Sequence, residues 1–141
     1  MRLDTLPTDL PLPASHKSTS RHFYDAARIR VGANCTSINC SEAPFDVLMW
    51  NTRGEITETS IANFAVYLRG SELETAVPYR SWSAEELERG SFVTPSADKG
   101  LIPGIMRAKL LEDGEMVEGT ITKKALLWYA MVCPTRSSIR A

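Results

Sequence analysis

The sequence predicts an α+β fold, mostly antiparallel sheet with helices at its ends. Three observations lead there. Short strand-forming runs (46–50, 55–58, 62–68, 92–95 and 115–121) are separated by turns and polar stretches. The segments 21–30 and 105–111 carry helical features instead. A chain of 141 residues with no internal repeat suits one domain with its own core.

Taken in order, residues 1–15 have prolines at 7, 11 and 13 and no periodicity, which predicts an extended tail. Ser20 is placed to cap a helix running through Arg30, with Phe23, Ala26, Ala27 and Arg30 at helical spacing. Residues 32–45, rich in Gly, Asn, Ser and Pro, predict a loop. Asp46–Trp50 predicts a strand, Asn51-Thr52-Arg53-Gly54 a turn with glycine at a positive φ, and Glu55–Glu58 the returning strand. Ala62–Leu68 continues the hairpin as a third strand. Residues 70–90 are an acidic insertion in which Ser83-Ala84-Glu85-Glu86 is a capping-box pattern. Phe92–Pro95 is a short strand. Leu101-Ile102-Pro103-Gly104 leads into a helix over Ile105–Leu111, stopped at Asp113-Gly114. Glu115–Ile121 is a strand, Thr122 caps a last helix, and Leu126–Val132 fits helix or strand equally.

Composition narrows the function. Hydrophobic residues are 43% and charged residues 23%, and the formal net charge is -1. That balance gives no electrostatic basis for binding nucleic acid or an anionic membrane. No apolar run reaches membrane-spanning length, and the first residues lack the apolar segment of a signal peptide, so a cytoplasmic protein is expected. Cys35, Cys40 and Cys133 have no metal-ligand spacing and read as free thiols.

Four segments carry the chemistry: His16-Lys17-Ser18-Thr19-Ser20-Arg21, Gly54–Asn63, Phe92–Pro95 and Leu101–Arg107. In this order they resemble the large domain of the class IV enzymes that use pyridoxal phosphate (PLP). These are the branched-chain aminotransferases, D-amino-acid aminotransferases and 4-amino-4-deoxychorismate lyases. The resemblance runs from about residue 16 to about residue 122. It implies a pseudo-barrel sheet with flanking helices, a lobe over 16–141, and an N-terminal lobe absent from this chain.

It also implies roles. Lys17 matches the lysine that forms the internal aldimine with PLP, a task for an amine whose pKa is lowered. Glu58 matches the carboxylate that pairs with the pyridine nitrogen and keeps it protonated. The polar run Thr57-Glu58-Thr59-Ser60 between apolar strands suits a lined pocket. Asn63 matches a structural asparagine. Gly104, Ile105 and Met106 match the turn that holds the PLP phosphate, with backbone N–H groups opening a helix toward an anion. Methionine at 106 tilts the resemblance toward lyase over transaminase. Thr135, Ser137 and Ser138 are candidates for a further phosphate contact.

Three functional readings remain open at this level. The first is an aminodeoxychorismate-lyase-like PLP enzyme acting on a small molecule through Lys17, with a transaminase as its close variant. The second is a PLP-independent lyase, isomerase or cyclase on the same fold. The third is a non-catalytic pseudoenzyme or interaction module. For assembly, a homodimer or a separate chain bearing the missing lobe is expected.

Overall fold

The computed structural model describes residues 1–9, 21–33, 43–132 and 139–140. Two small sheets organise it. In the first, β1 (Arg2–Leu3) runs parallel to β2 (Val47–Trp50), which pairs antiparallel with β3 (Ile56–Thr59). In the second, the order is β6 (Met116–Gly119), β5 (Ser91–Pro95), β4 (Ala65–Leu68) and β7 (Ile139–Arg140). Of the five pairings between these strands, β1–β2 and β5–β6 are parallel and the other three antiparallel. Among the described residues five α-helices flank the sheets: α1 (His22–Val31), α2 (Gly70–Ala76), α3 (Ala84–Arg89), α4 (Ile105–Glu112) and α5 (Lys123–Val132). The α+β class holds.

The sheets share one core. Leu48 and Ile56 from the first pack with Phe64, Val66, Leu68 and Val93 from the second, and α2 adds Leu73 and Ala76. A second cluster lies on the other face of β2, where Tyr24, Ala27 and Val31 of α1 cover Val47 and Met49. The strand β2 is therefore buried on both sides, which is why it reads Val-Leu-Met-Trp without alternation. Beyond the core, Ile56 N donates to Ile121 O at 2.7 Å and Lys123 N to Gly54 O at 2.8 Å, tying the β3 edge to the chain after β6.

Several local signals form as expected. Gly54 takes φ 76° in the β2–β3 turn, a conformation that suits glycine. Ser83 and Glu86 make both bonds of the capping box on α3. Thr122 Oγ1 accepts from Ala125 N at 3.1 Å at the start of α5, which resolves Leu126–Val132 as helix.

Three expectations need correction. The buried stripe of α1 is Tyr24, Ala27 and Val31, whereas Ala26 is exposed and Phe23 only half-buried. Helical spacing allows either stripe, and packing on β2 selects this one. The segment 65–68 is not a third strand of the hairpin. The turn 59–63 carries the chain out of the first sheet, and β4 pairs with β5 and β7.

The described start of the chain is no loose tail either. Arg2, Asp4 and Thr8 donate backbone bonds to Asp46, Leu48 and Trp50 at 2.8–3.0 Å. The Asp4 carboxylate is fully buried and accepts from Arg30 Nε at 2.9 Å and Nη2 at 2.5 Å. Proline content hid this, because a two-residue strand leaves no periodic pattern. The expectation for 10–15, the Ser20 cap and the three cysteines lie outside the described residues. Among the described residues no helix is long and apolar enough to cross a membrane.

Replacing Asp4 with alanine removes the carboxylate from the Arg30 guanidinium, which is 25% exposed, and leaves it the Thr8 hydroxyl at 3.0 Å. The expected loss is about 3 kcal/mol of unfolding free energy in urea, the scale for breaking a buried pair. Faster amide exchange at Thr8 should accompany it. Unchanged stability and exchange would mean that backbone pairing alone holds residues 1–9.

Candidate functional site

The polar run that opens the site sits on the edge strand of the first sheet. Thr57, Glu58, Thr59 and Ser60 are each at most 3% exposed. Buried polar residues need partners; among the described residues Thr57 Oγ1 has none, whereas the side chains of Glu58, Thr59 and Ser60 are bonded and shape the chain. Thr59 Oγ1 donates to Ala62 O and accepts from Ala62 N, both at 3.0 Å, and Thr59 N also reaches Ala62 O. This hydroxyl-braced turn brings Asn63 back alongside Glu58. Ser60 is held by arginines of the α1 segment: Arg21 Nη2 donates to Ser60 O at 2.6 Å and Arg28 Nη1 to Ser60 Oγ at 3.0 Å. Arg28 also pairs with Asp46 at 3.2 Å.

Glu58 is the centre of the arrangement. Its Oε1 accepts from the Tyr24 hydroxyl at 2.7 Å. Its Oε2 accepts from Ile102 N at 3.2 Å and from Asn63 Nδ2 at 3.3 Å. Burial pushes the carboxyl up to about 7, against downward pulls from the Tyr24 and Ile102 hydrogen bonds and the Arg21 charge. The Tyr24 phenol is driven above its ordinary range, first by burial and then by its bond to Glu58. It therefore stays protonated and donates.

Asn63 joins this carboxylate to the next segment. Its Nδ2 also donates to Ile102 O at 2.7 Å, and its Oδ1 accepts from Gly104 N at 3.1 Å. The amide thus fixes residues 102–104 as a strand neighbour would. Gly104 has an ordinary φ of -74°, so no left-handed backbone calls for glycine here. Space does: a Cβ at 104 would lie 2.4 Å from Asn63 Oδ1.

Directly after this glycine, α4 begins with no side-chain cap and no acidic residue in its first turn. Ile105 and Met106 are 91% and 71% exposed. Their N–H groups belong to the unpaired first turn, at the positive end of the helix dipole. Arg107 anchors the helix from beneath, buried, with Nη2 donating to Pro95 O at 2.8 Å and an ion pair to Glu118. Asn63 and Met106 also line a cavity of about 340 Å³, together with Phe64, Phe92, Leu110 and Met116.

The structure thus brings Glu58, Asn63, Gly104, Ile105 and Met106 to one place. Phe92–Pro95 falls on β5 and supports it from behind: Thr94 Oγ1 donates to Phe64 O at 2.8 Å, next to Asn63. Lys17, Thr135, Ser137 and Ser138 lie outside the described residues. Sequence reasoning gave no role to Tyr24 or Arg21. Tyr24 lies on the apolar stripe of a helix, and nothing local marks it as a partner for a carboxylate 34 positions away.

The family model described as amino-transferase class IV matches residues 4–130, so the likeness begins well before Lys17. A protein of Schizosaccharomyces pombe, provisionally assigned as an aminodeoxychorismate lyase, is 30% identical over 103 residues. That alignment covers 73% of this chain and 33% of the relative. A crystal structure of a provisionally assigned amino-acid aminotransferase from Mesorhizobium loti superposes with a TM-score of 0.63 at 28% identity. It covers 89% of this chain and 48% of that one. The PLP-bound form of a hypothetical aminotransferase from Mycobacterium tuberculosis shares the fold, with a TM-score of 0.59 at 16% identity, over 89% of this chain and 39% of that one. The chain spans about a third to a half of the length of these relatives.

Two predictions follow from the packing and ionisation around Glu58. Gly104→Ala should cost about 1–3 kcal/mol by overpacking against an amide that three bonds hold in place. Asn63→Ala in the same chain should recover part of that loss, a coupling that a double-mutant cycle measures. Strict additivity would place the strain elsewhere.

The second concerns pH. A carboxyl whose folded value lies above its unfolded one stabilises the fold most below pH 4.5 and loses that contribution as pH rises through about 7. The stability of the wild type relative to Glu58→Gln should therefore fall by up to about 3 kcal/mol across this window. Urea titrations of both proteins at several pH values read the difference directly. A difference that rises with pH would reverse the assigned shift.

Proposed function

The chain belongs to the class IV aminotransferase family, and from that premise we propose that it is the cofactor-binding lobe of an aminodeoxychorismate-lyase-like PLP enzyme. The observation that carries the reading is Glu58: a carboxylate buried with hydrogen-bond donors and joined through Asn63 to an open helix start.

The residues present fit PLP on three counts. Glu58 offers a buried acceptor, suited to a protonated ring nitrogen. The first turn of α4, without cap or acid, offers N–H groups to a phosphate. Between them, the space a Cβ at 104 would need is taken by Asn63 Oδ1, so glycine lets the 102–104 turn lie close to Glu58. When bound, PLP supplies an electron sink for charge developing at the α-carbon of a substrate amine.

The rest falls to this chain. Glu58 keeps the ring nitrogen protonated. The N–H groups of Ile105 and Met106 bind the phosphate and fix the register of the ring. Lys17 would hold the cofactor through its Nζ and, once a substrate amine has displaced it, the freed amine would take the proton from the substrate α-carbon. Lyase over transaminase rests on Met106 and on the Schizosaccharomyces pombe relative. A homodimer partner or a separate chain bearing a second lobe is the proposed surface that completes the cleft. That closure would exclude water and strengthen the electrostatics of the site.

The test is direct. Purified chain incubated with PLP should develop a visible absorption band that borohydride abolishes. Peptide mapping should then place the pyridoxyl adduct on Lys17. A label spread over Lys99, Lys109, Lys123 and Lys124, or no band at any PLP concentration, would overturn the proposal.

A further inference from the structure

The hydrogen bonds around Glu58 are unequally shared between its two oxygens. A carboxylate has about four acceptor sites, two on each oxygen. Among the described residues, Oε2 accepts two donors, Ile102 N and Asn63 Nδ2, and is saturated. Oε1 accepts only the Tyr24 hydroxyl. The one open acceptor position therefore lies on Oε1, the oxygen that Tyr24 holds.

Tyr24 is itself well fixed. It is 6% exposed and sits in the α1–β2 apolar cluster with Ala27, Val31 and Met49. The Arg21 guanidinium lies over its ring, 5.2 Å from the centroid, while bonded to Ser60 O. A phenol so placed has one job for its proton. Its ring is anchored in the core, and its hydroxyl reaches a carboxylate from a different element.

From this geometry we infer that Tyr24 is a positioning residue for Glu58, orienting Oε1 toward the ring nitrogen of the cofactor and keeping the carboxyl ionised near neutral pH. The cofactor part of this inference rests on the PLP reading above, whereas the ionisation part does not. The charged and titratable groups facing Glu58 among the described residues are Tyr24 on α1 and Arg21 just ahead of it. The partners on the other side, Asn63 and the Ile102 backbone, are neutral. Arg21 acts by charge alone and touches neither oxygen, so the phenol is the directional contact at Oε1.

The carboxyl titration is read in protein without added PLP, by carbon NMR of side-chain-labelled glutamate, with the Glu58 signal identified by its loss in Glu58→Gln. Tyr24→Phe removes one oxygen and one donor to the charged form. Its expected effect is an upward move of the Glu58 midpoint by about one pH unit. With PLP added, the same variant should retain the cofactor about tenfold less tightly at neutral pH.

A second protein guards against a merely structural effect. Replacing tyrosines by 3-fluorotyrosine keeps the shape and makes the phenol a stronger donor, so the midpoint should move down. Opposite signs in the two proteins support the inference. An unchanged midpoint in Tyr24→Phe, or shifts of the same sign in both, overturns it. Equal PLP retention by wild type and Tyr24→Phe overturns the orienting role toward the cofactor. If the wild type retains no PLP while the midpoints move as expected, the positioning stands and the functional reading of the preceding subsection fails.

Discussion

Everything at the candidate site depends on taking one carboxylate out of water. Glu58 is 3% exposed, and an unpartnered carboxylate in such a place would be far too costly to keep. Its three donors come from three separate parts of the chain: α1, the turn after β3 and the segment before α4. Satisfying one side chain thus fixes the mutual positions of three backbone segments. The burial is incompletely compensated, and desolvation pushes the Glu58 carboxyl upward, disfavouring its charged form. A group poised near neutrality can be tipped toward the charged form by a cationic neighbour, whereas a fully solvated glutamate needs no such help.

The stability to sustain this comes from elsewhere. Two apolar clusters sandwich β2, and the continuous burial of Val47, Leu48 and Met49 makes that strand the keel of the lobe. Polar pairs at its margins, Arg30 with Asp4 and Arg28 with Asp46, add little net energy once desolvation is counted. They add geometry. Arg30 and Asp4 lock the first residues against β2. Arg28 binds Asp46 and Ser60 together and so sets the direction in which the chain leaves β3.

Two electrostatic features of opposite sense lie at either end of the Asn63 amide. One is the α4 start, with N–H groups and the positive end of a helix dipole; the other is the Glu58 carboxylate. Such a pair suits a ligand with an anionic group at one end and a protonatable nitrogen at the other. Asn63 sets their spacing, because its bonds to Glu58, Ile102 and Gly104 leave its amide no freedom to move. Gly104 follows from that rigidity: the space beside residue 104 already belongs to the asparagine.

The sequence by itself determined the kinds of element and where they turn. The glycine turn at 54, the capping box at Ser83, the cap at Thr122 and the stop at Asp113-Gly114 are local bonds within a few residues, so local sequence suffices to read them. Resemblance to the class IV enzymes also marked Glu58, Gly104, Ile105 and Met106, and the polar run at 57–60 amid apolar strands agreed with it. Tertiary structure alone decided the rest. Which stripe of α1 is buried, that β4 abandons the first hairpin, that residues 2 and 3 pair with β2, and that Tyr24 reaches Glu58 across 34 positions all depend on contacts between residues far apart in the chain. Such contacts are selected by packing and by the need of buried polar atoms for partners, and neither is written in the spacing of neighbouring residues.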